Sequence, residues 1–283
     1  MFKKVFKILI YIFAIIGFLL VVGFFAIKFG WTNTNGVIDR QRENFLSSAN
    51  FSSNTTLNQN LTWNQDKEWQ TLKSAILKDK AVIYRASASS GIPPRLLVTE
   101  LVVEQLRLFH TDRESFKKFF EPLKILGSQT QFSWGVMGVK EETAIEIENN
   151  LKDNTSPFYL GMQFEHLLDY FSPKQRLGET IVEDKKQERF VKMTDQHDHY
   201  WSYLYAGLYL KQVETQWKNA GFDISDKSDI ISTLYNVGFT NSKPNKNPQS
   251  GGAEIKINDI SYSFGSLAKE FYNSNELLDE FPR

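Results

Sequence analysis

Ala86-Ser-Ala-Ser-Ser-Gly-Ile-Pro-Pro-Arg-Leu-Leu-Val-Thr-Glu-Leu-Val-Val-Glu-Gln-Leu-Arg-Leu-Phe109 opens polar and runs into an apolar helix that carries two glutamates. Ser89 and Ser90 offer cap oxygens. Pro93 and Pro94 suit a first helical turn, where a missing N–H costs no intrahelical bond, so the spacing predicts a helix starting near Pro93. At about 100° per residue, Leu97, Leu101, Glu104 and Leu108 share a narrow arc, while Glu100 and Arg107 fall together on its flank.

A carboxylate among core leucines is costly to ionise and tends to keep its proton, which is the state a general acid requires. Glu104 is thus the candidate acid. The same spacing lets it pair with Arg107, three residues on, as a buried structural ion pair. Glu100 is the alternative acid; its place beside Arg107 favours the ionised form and a structural role.

The chain before this helix carries a different signal. Lys3, Lys4 and Lys7 precede an apolar run from Ile8 to Ile27, closed by Lys28. About 20 such residues span a bilayer as a helix, and the excess of lysine before the run favours a cytoplasmic N terminus with the body exported. The expectation is a single-pass signal anchor over 1–30 in a cytoplasmic membrane, and an Asn/Ser/Thr-rich stem over 31–65. A folded domain over 66–283 follows, with 246–283 as a hairpin-helix extension.

The 283 residues hold 33 Lys plus Arg against 33 Asp plus Glu and no cysteine. The even charge gives no basic field for nucleic acid, and the missing thiols exclude disulfides and thiolate chemistry. Asn50, Asn54 and Asn60 head Asn-X-Ser/Thr triplets, read as chance products of the composition. Asp195, His197 and His199 form an Asp-X-His-X-His run in a charged, exposed-looking segment, without an ordered fourth ligand; no metal and no cofactor is assigned. No Gly-X-Ser-X-Gly and no phosphate-binding glycine loop occurs.

Periodicity predicts a mainly α domain: helices over Asp66–Tyr84, Ser156–Phe171 and Tyr200–Gln216, with a polar surface segment at Gln187–Phe190. Phe116, Phe119 and Phe120 read as core anchors. Alternation across Glu254–Phe264 predicts a small C-terminal β-hairpin turning at Asn258-Asp259, then a short helix from about Ser266 to Asn273.

Four features stand in one order: the Gly91-Ile-Pro-Pro helix carrying Glu104-Gln105, Gly135-Val136-Met137-Gly138 followed by Thr143-Ala144, the segment beginning Tyr159-Leu160-Gly161, and Tyr235-Asn236-Val237-Gly238. Together, over residues 66–245, they resemble the lytic transglycosylases of bacterial cell walls, a lysozyme-like helical family related to goose-type lysozyme. Gln105 stands where that family has Ser, Gly138 where it has Gln, and Thr111–Leu126 looks like an insertion. The resemblance implies a membrane-anchored lyase acting on peptidoglycan glycan strands. Glu104 protonates the bond between N-acetylmuramic acid and N-acetylglucosamine, then serves as base while the sugar's own 6-hydroxyl closes a 1,6-anhydro ring. Gly135, Val136, Met137, Tyr235 and Asn236 would line the substrate cleft, and a regulatory envelope protein would restrain the enzyme. Two other readings stay open: a peptidoglycan-binding scaffold with little or no turnover, motivated by Gly138, and a goose-type muramidase, for which Glu141 or Glu142 would be the further carboxylate.

Overall fold

In the computed structural model, the described residues are 61–65, 67–110, 133–170, 176–177, 180–181, 184–195 and 197–283, with Tyr11, Gly17, Phe18, Val21 and Val22, all five helical, near the N terminus. The expected membrane span lies, apart from those five, outside the described residues. So do the insertion at 111–126, its three phenylalanines and most of the stem. No helix among the described residues is long and apolar enough to cross a membrane.

The chain is mainly helical. Its described helices are α1 (Lys67–Lys78), α2 (Lys80–Ser90), α3 (Pro94–Phe109), α4 (Glu141–Lys152), α5 (Lys185–Met193), α6 (Tyr200–Asn219), α7 (Ser228–Val237) and α8 (Phe264–Asn273). Three two-stranded antiparallel ribbons accompany them: β1 (Ser133–Trp134) with β2 (Val139–Lys140), β3 (Arg176–Leu177) with β4 (Thr180–Ile181), and β5 (Glu254–Ile257) with β6 (Ile260–Ser263).

Helix α3 is the axis of the domain. Every residue from Arg95 to Leu108 is buried, because α1, α2, α6 and α8 all pack on it. A helix enclosed in this way has no solvent face, so its apolar residues run all round it. It starts one residue after the expected Pro93 and takes no side-chain cap; Ser89 and Ser90 instead finish α2, which Gly91 closes in the left-handed region at φ +72°.

Asp79 divides the helix expected over 66–84 into α1 and α2. Its buried carboxylate accepts from Tyr203 Oη at 2.8 Å and pairs with His199 Nδ1, tying the junction to the start of α6. Gly207, midway along α6, lets that helix lie directly on α2, since a Cβ there would stand 2.8 Å from Ser90 Cβ. The helix expected over 156–171 does not form: Asp153 and Ser156 turn their oxygens onto the N–H groups of Thr155 and Phe158. Side chains that satisfy nearby backbone donors in this way compete with helix formation. Only a short 3₁₀ turn, Met162–Phe164, lies in that stretch.

The polar segment at 187–190 is an amphipathic helix, α5, capped by Asp184, whose Oδ1 accepts from Gln187 N. It is bound inward by charge. Arg189 forks onto Glu148 of α4 at 2.7 and 2.8 Å, and Tyr205 of α6 donates to the same carboxylate at 2.7 Å.

The C-terminal hairpin turns where expected, with Asn258 at φ +48° and Asp259 at φ +66°. Both residue types tolerate the left-handed region a two-residue hairpin turn requires. Ser263 and Ser266 then form a reciprocal capping box, so α8 begins two residues before the expected Ser266. Helix α8 packs between α3 and α7, with Phe271 against Trp63 and Trp69. Residues 61–65, assigned by sequence to the stem, belong to this core: Trp63 is fully buried and donates to Glu270, and Asn64 donates to Glu276.

Arg95 ties the start of α3 to the end of α8. Its buried guanidinium donates to the carbonyls of Phe271, Tyr272, Ser274 and Glu276, the acceptors left open where α8 ends. A helix C terminus leaves its last carbonyls without intrahelical donors, and a planar cation with five N–H groups fills several at once.

Candidate active site

Glu100 and Glu104 lie one turn apart on α3, and both are buried, at 0% and 3% exposure. The arc that separated an inward Glu104 from a flanking Glu100 therefore does not distinguish them. Arg107 does. It forks onto Glu104, with Nε 3.0 Å from Oε2 and Nη2 2.5 Å from Oε1, the bidentate geometry of a strong ion pair. The i,i+3 pair with Glu104 that the spacing allowed is the one that forms, and the expectation that Arg107 favours an ionised Glu100 is reversed: the cation belongs to Glu104.

Glu100 has no comparable partner among the described residues. Ser232 of α7 donates to its Oε1, and its Oε2 has no hydrogen-bond partner there. Burial pushes this carboxyl up to about 8; the Ser232 bond opposes the shift and the neighbouring Glu104 charge adds to it. At neutral pH Glu100 thus carries a proton, while Glu104 is matched by a guanidinium. Two buried carboxyls one turn apart, one with a guanidinium beside it and one without, thus sit in unlike electrostatic surroundings.

The turn Gly135–Gly138 joins β1 to β2 and is held from three helices. Gln105 of α3 donates to the Val136 carbonyl, Ser202 of α6 accepts from Met137 N at 3.2 Å, and Tyr235 of α7 donates to the Met137 carbonyl at 2.6 Å. Gly138 has φ +66°, and a Cβ there would run into the Glu104 carboxylate, 2.8 Å from its Cδ. Glu104 thus rests on Gly138. Gln105 spans from α3 to the Val136 carbonyl of this turn.

Tyr235 is half-buried beside both carboxyls. Burial, then Glu104 and Glu100, hold its phenol well above the ordinary range, so it remains a hydrogen-bond donor. It packs edge-on against Tyr209, which continues through Phe239 to Phe158 as a line of rings with centroids 5.2, 4.3 and 4.8 Å apart.

The structure thus brings together Glu100, Glu104, Gly135, Val136, Met137 and Tyr235. It turns Asn236 elsewhere: its Oδ1 accepts from Ala253 N at 2.8 Å and holds the approach to β5. Glu141 faces Lys186 and Arg189, each at 3.7 Å, and Glu142 is exposed. His199, expected to be exposed, is buried on Asp79, while Asp195 accepts from the N–H groups of His197 and Asp198. Ser202 and Ser232 are site residues that sequence reading missed. Ser232 had a signal, three residues before Tyr235 and so on the same helical face; Ser202 had none. No family model, curated protein or solved structure matches the chain.

Proposed function

We propose that this helical unit is a divergent lysozyme-like domain and that the chain is a peptidoglycan lytic transglycosylase, anchored through residues 8–27 with its body exported. The observation that carries the reading is the contact of Glu104 with Gly138, on a turn that Gln105, Ser202 and Tyr235 hold against it. Three of the four motif-bearing segments, those of Glu104, Gly135–Gly138 and Tyr235, meet here around one carboxylate. Glu104 protonates the glycosidic oxygen leaving N-acetylmuramic acid. As a carboxylate it then draws the proton from the 6-hydroxyl, which closes the 1,6-anhydro ring. Tyr235 keeps the Met137 carbonyl, and with it the cleft floor, in place. An envelope protein acting through the anchor or the stem restrains the enzyme.

The Arg107 fork favours a second reading, a glycan-binding scaffold of low turnover, since an acid tied to a guanidinium holds no proton to give. Incubating purified peptidoglycan with the full chain in detergent, alongside Glu104→Gln, decides between them by mass spectrometry. Anhydro-muropeptides from the parent and none from the variant support the lyase. Reducing ends instead assign a hydrolase, and co-sedimentation with the sacculus without any product assigns the scaffold.

A further inference from the structure

Helix α8 has a second face that the core does not use. Phe264, Leu267, Ala268 and Phe271 are buried, while Ser266, Lys269, Glu270 and Asn273, at i, i+3, i+4 and i+7, line one wall of an open groove of about 520 Å³. The facing wall is Leu61, Asp229 at the start of α7, and Ser250 of the loop before β5. Gly265 brings the walls together: a Cβ there would lie 2.5 Å from the Asp229 carbonyl oxygen and 2.6 Å from Ser250 Oγ, so any side chain would push α8 off α7. A concavity of this size suits a small ligand or a short stretch of peptide. It shares no residue with the Glu104 site.

Charge decides what enters it. Lys269 Nζ stands 3.6 Å from Asp229 Oδ2, so those two charges cancel across the groove. Glu270 is left over. It neighbours Lys269 in sequence, and adjacent residues of a helix do not face each other. Its Oε1 accepts from the indole N–H of Trp63 at 3.2 Å, a neutral donor that is fully buried and packed edge-on against Trp69 with ring centroids 5.1 Å apart. That bond fixes the carboxylate and leaves its Oε2 without a hydrogen-bond partner among the described residues. A half-buried carboxylate held on one oxygen by a neutral donor is a counter-ion lacking its cation.

We propose that this groove is a second binding site, which takes the side-chain ammonium of a peptide with Glu270 as its counter-ion. An ammonium brings three N–H donors and no acceptor. Glu270 Oε2 accepts one. Asn273 donates its Nδ2 to the Lys269 carbonyl at 2.8 Å and so offers Oδ1 as a second acceptor, and the Ser250 hydroxyl is the third. Leu61 gives the methylene stem of such a side chain an apolar surface to lie on. A metal ion fits less well, since among the described residues no three His, Asp or Glu are grouped to hold one. The peptide side branches of peptidoglycan carry a diamino acid with a free amine wherever they are not cross-linked; taking them as the source rests on the lytic transglycosylase reading. The groove then holds the peptide of the wall while the Glu104 site addresses its glycan.

The full chain in detergent should bind an N-terminally blocked tripeptide that bears one side-chain amine, with saturable heat and a shift of the Trp63 indole N–H signal. The same tripeptide acetylated at that amine should do neither. Glu270→Gln keeps an acceptor for Trp63, removes the charge and should weaken binding about tenfold or more. Asn273→Lys, at an exposed position, places an ammonium of the protein itself in the groove and should weaken binding similarly. No binding, equal binding of the acetylated tripeptide, or parental affinity in both variants overturns the proposal. Intact sacculi should retain the parent better than sacculi stripped of peptides by an amidase, and Glu270→Gln should lose the difference; equal retention overturns the wall as source. None of these readouts needs turnover. A protein that binds the amine and releases no anhydro-muropeptides fails the lyase reading alone, and one that releases them without binding the amine fails this proposal alone.

Discussion

Arg107 closes on Glu104, three residues before it on α3, and not on Glu100, seven before it. One rotamer choice thereby decides which of two buried carboxyls has a cation beside it. Arg107→Met leaves the Glu104 charge without its partner in the interior. The expected cost is about 3–5 kcal/mol near neutral pH, the range for breaking one side of a buried pair, with part of it recovered as acid protonates Glu104. Urea denaturation of variant and parent at two pH values checks both the cost and its direction. Arg107→Lys should recover only part, because an ammonium cannot reproduce the fork.

Gly138 meets two requirements together, a positive φ and contact with the Glu104 carboxylate. Gly138→Ala should therefore lose stability by about 1–3 kcal/mol from the left-handed backbone and the overlap, and should lose activity out of proportion to stability. Gly138→Gln introduces the residue typical of the resembled family and should be worse, since its longer side chain begins from the same colliding Cβ. Muropeptide release measured at a temperature where both variants remain folded separates the two effects.

The Gly135–Gly138 turn is held at adjacent carbonyls by Gln105 and Tyr235. Each of Gln105→Ala and Tyr235→Phe should cost about 1 kcal/mol, typical of one lost internal hydrogen bond. Because both act on one short turn, the double variant should depart from additivity. A double-mutant cycle in denaturation and in kcat reads that coupling; strict additivity would mean the two clamps act independently.

How much of this was legible in sequence differs element by element. The start of α3 and the C-terminal hairpin followed from Pro93-Pro94 and Asn258-Asp259, residues whose backbone preferences are local. Which glutamate faces what did not follow, because an arc argument assumes one buried face, and α1, α2, α6 and α8 bury α3 on all sides. Periodicity places Cβ atoms; it does not choose the rotamer that sends Arg107 to Glu104. Asp79 broke an uninterrupted helical pattern through partners some 120 residues on, at His199 and Tyr203, which no local signal reveals. Trp63 read as the end of a polar stem because its neighbours in sequence are polar, while its neighbours in space are Trp69 and Phe271.

Arg95 makes the C-terminal segment part of the domain. Arg95→Met should release the end of α8, leaving buried carbonyls unsatisfied, at a cost of about 3 kcal/mol or more. Limited proteolysis should then cut beyond residue 273 well before the parent is cut. Removal of residues 264–283 should unfold the protein, since it strips Phe271 from Trp63 and Trp69 and uncovers α3.

Glu100 sets a pH signature on stability. Its carboxyl is held up to about 8 in the folded protein, against 4.5 for the free group, chiefly by burial. Between those values the folded state keeps a proton that the unfolded chain has released, so stability is fully present below about 4.5. It falls as pH rises toward 8, by at most about 1.4 kcal/mol per pH unit, and then levels. Glu100→Gln cannot ionise and escapes this loss. Its stability relative to the parent should therefore rise from pH 5 to pH 8, so that a variant weaker in acid becomes the more stable of the two in mild alkali. Ser232→Ala removes the hydrogen bond that favours ionised Glu100, and should carry the parent's decline to higher pH. Glu104→Gln removes a neighbouring negative charge and should bring it lower. Denaturation midpoints of the four proteins across pH 5–9 test the ordering, and a parent curve parallel to that of Glu100→Gln would show that Glu100 is ionised in the fold.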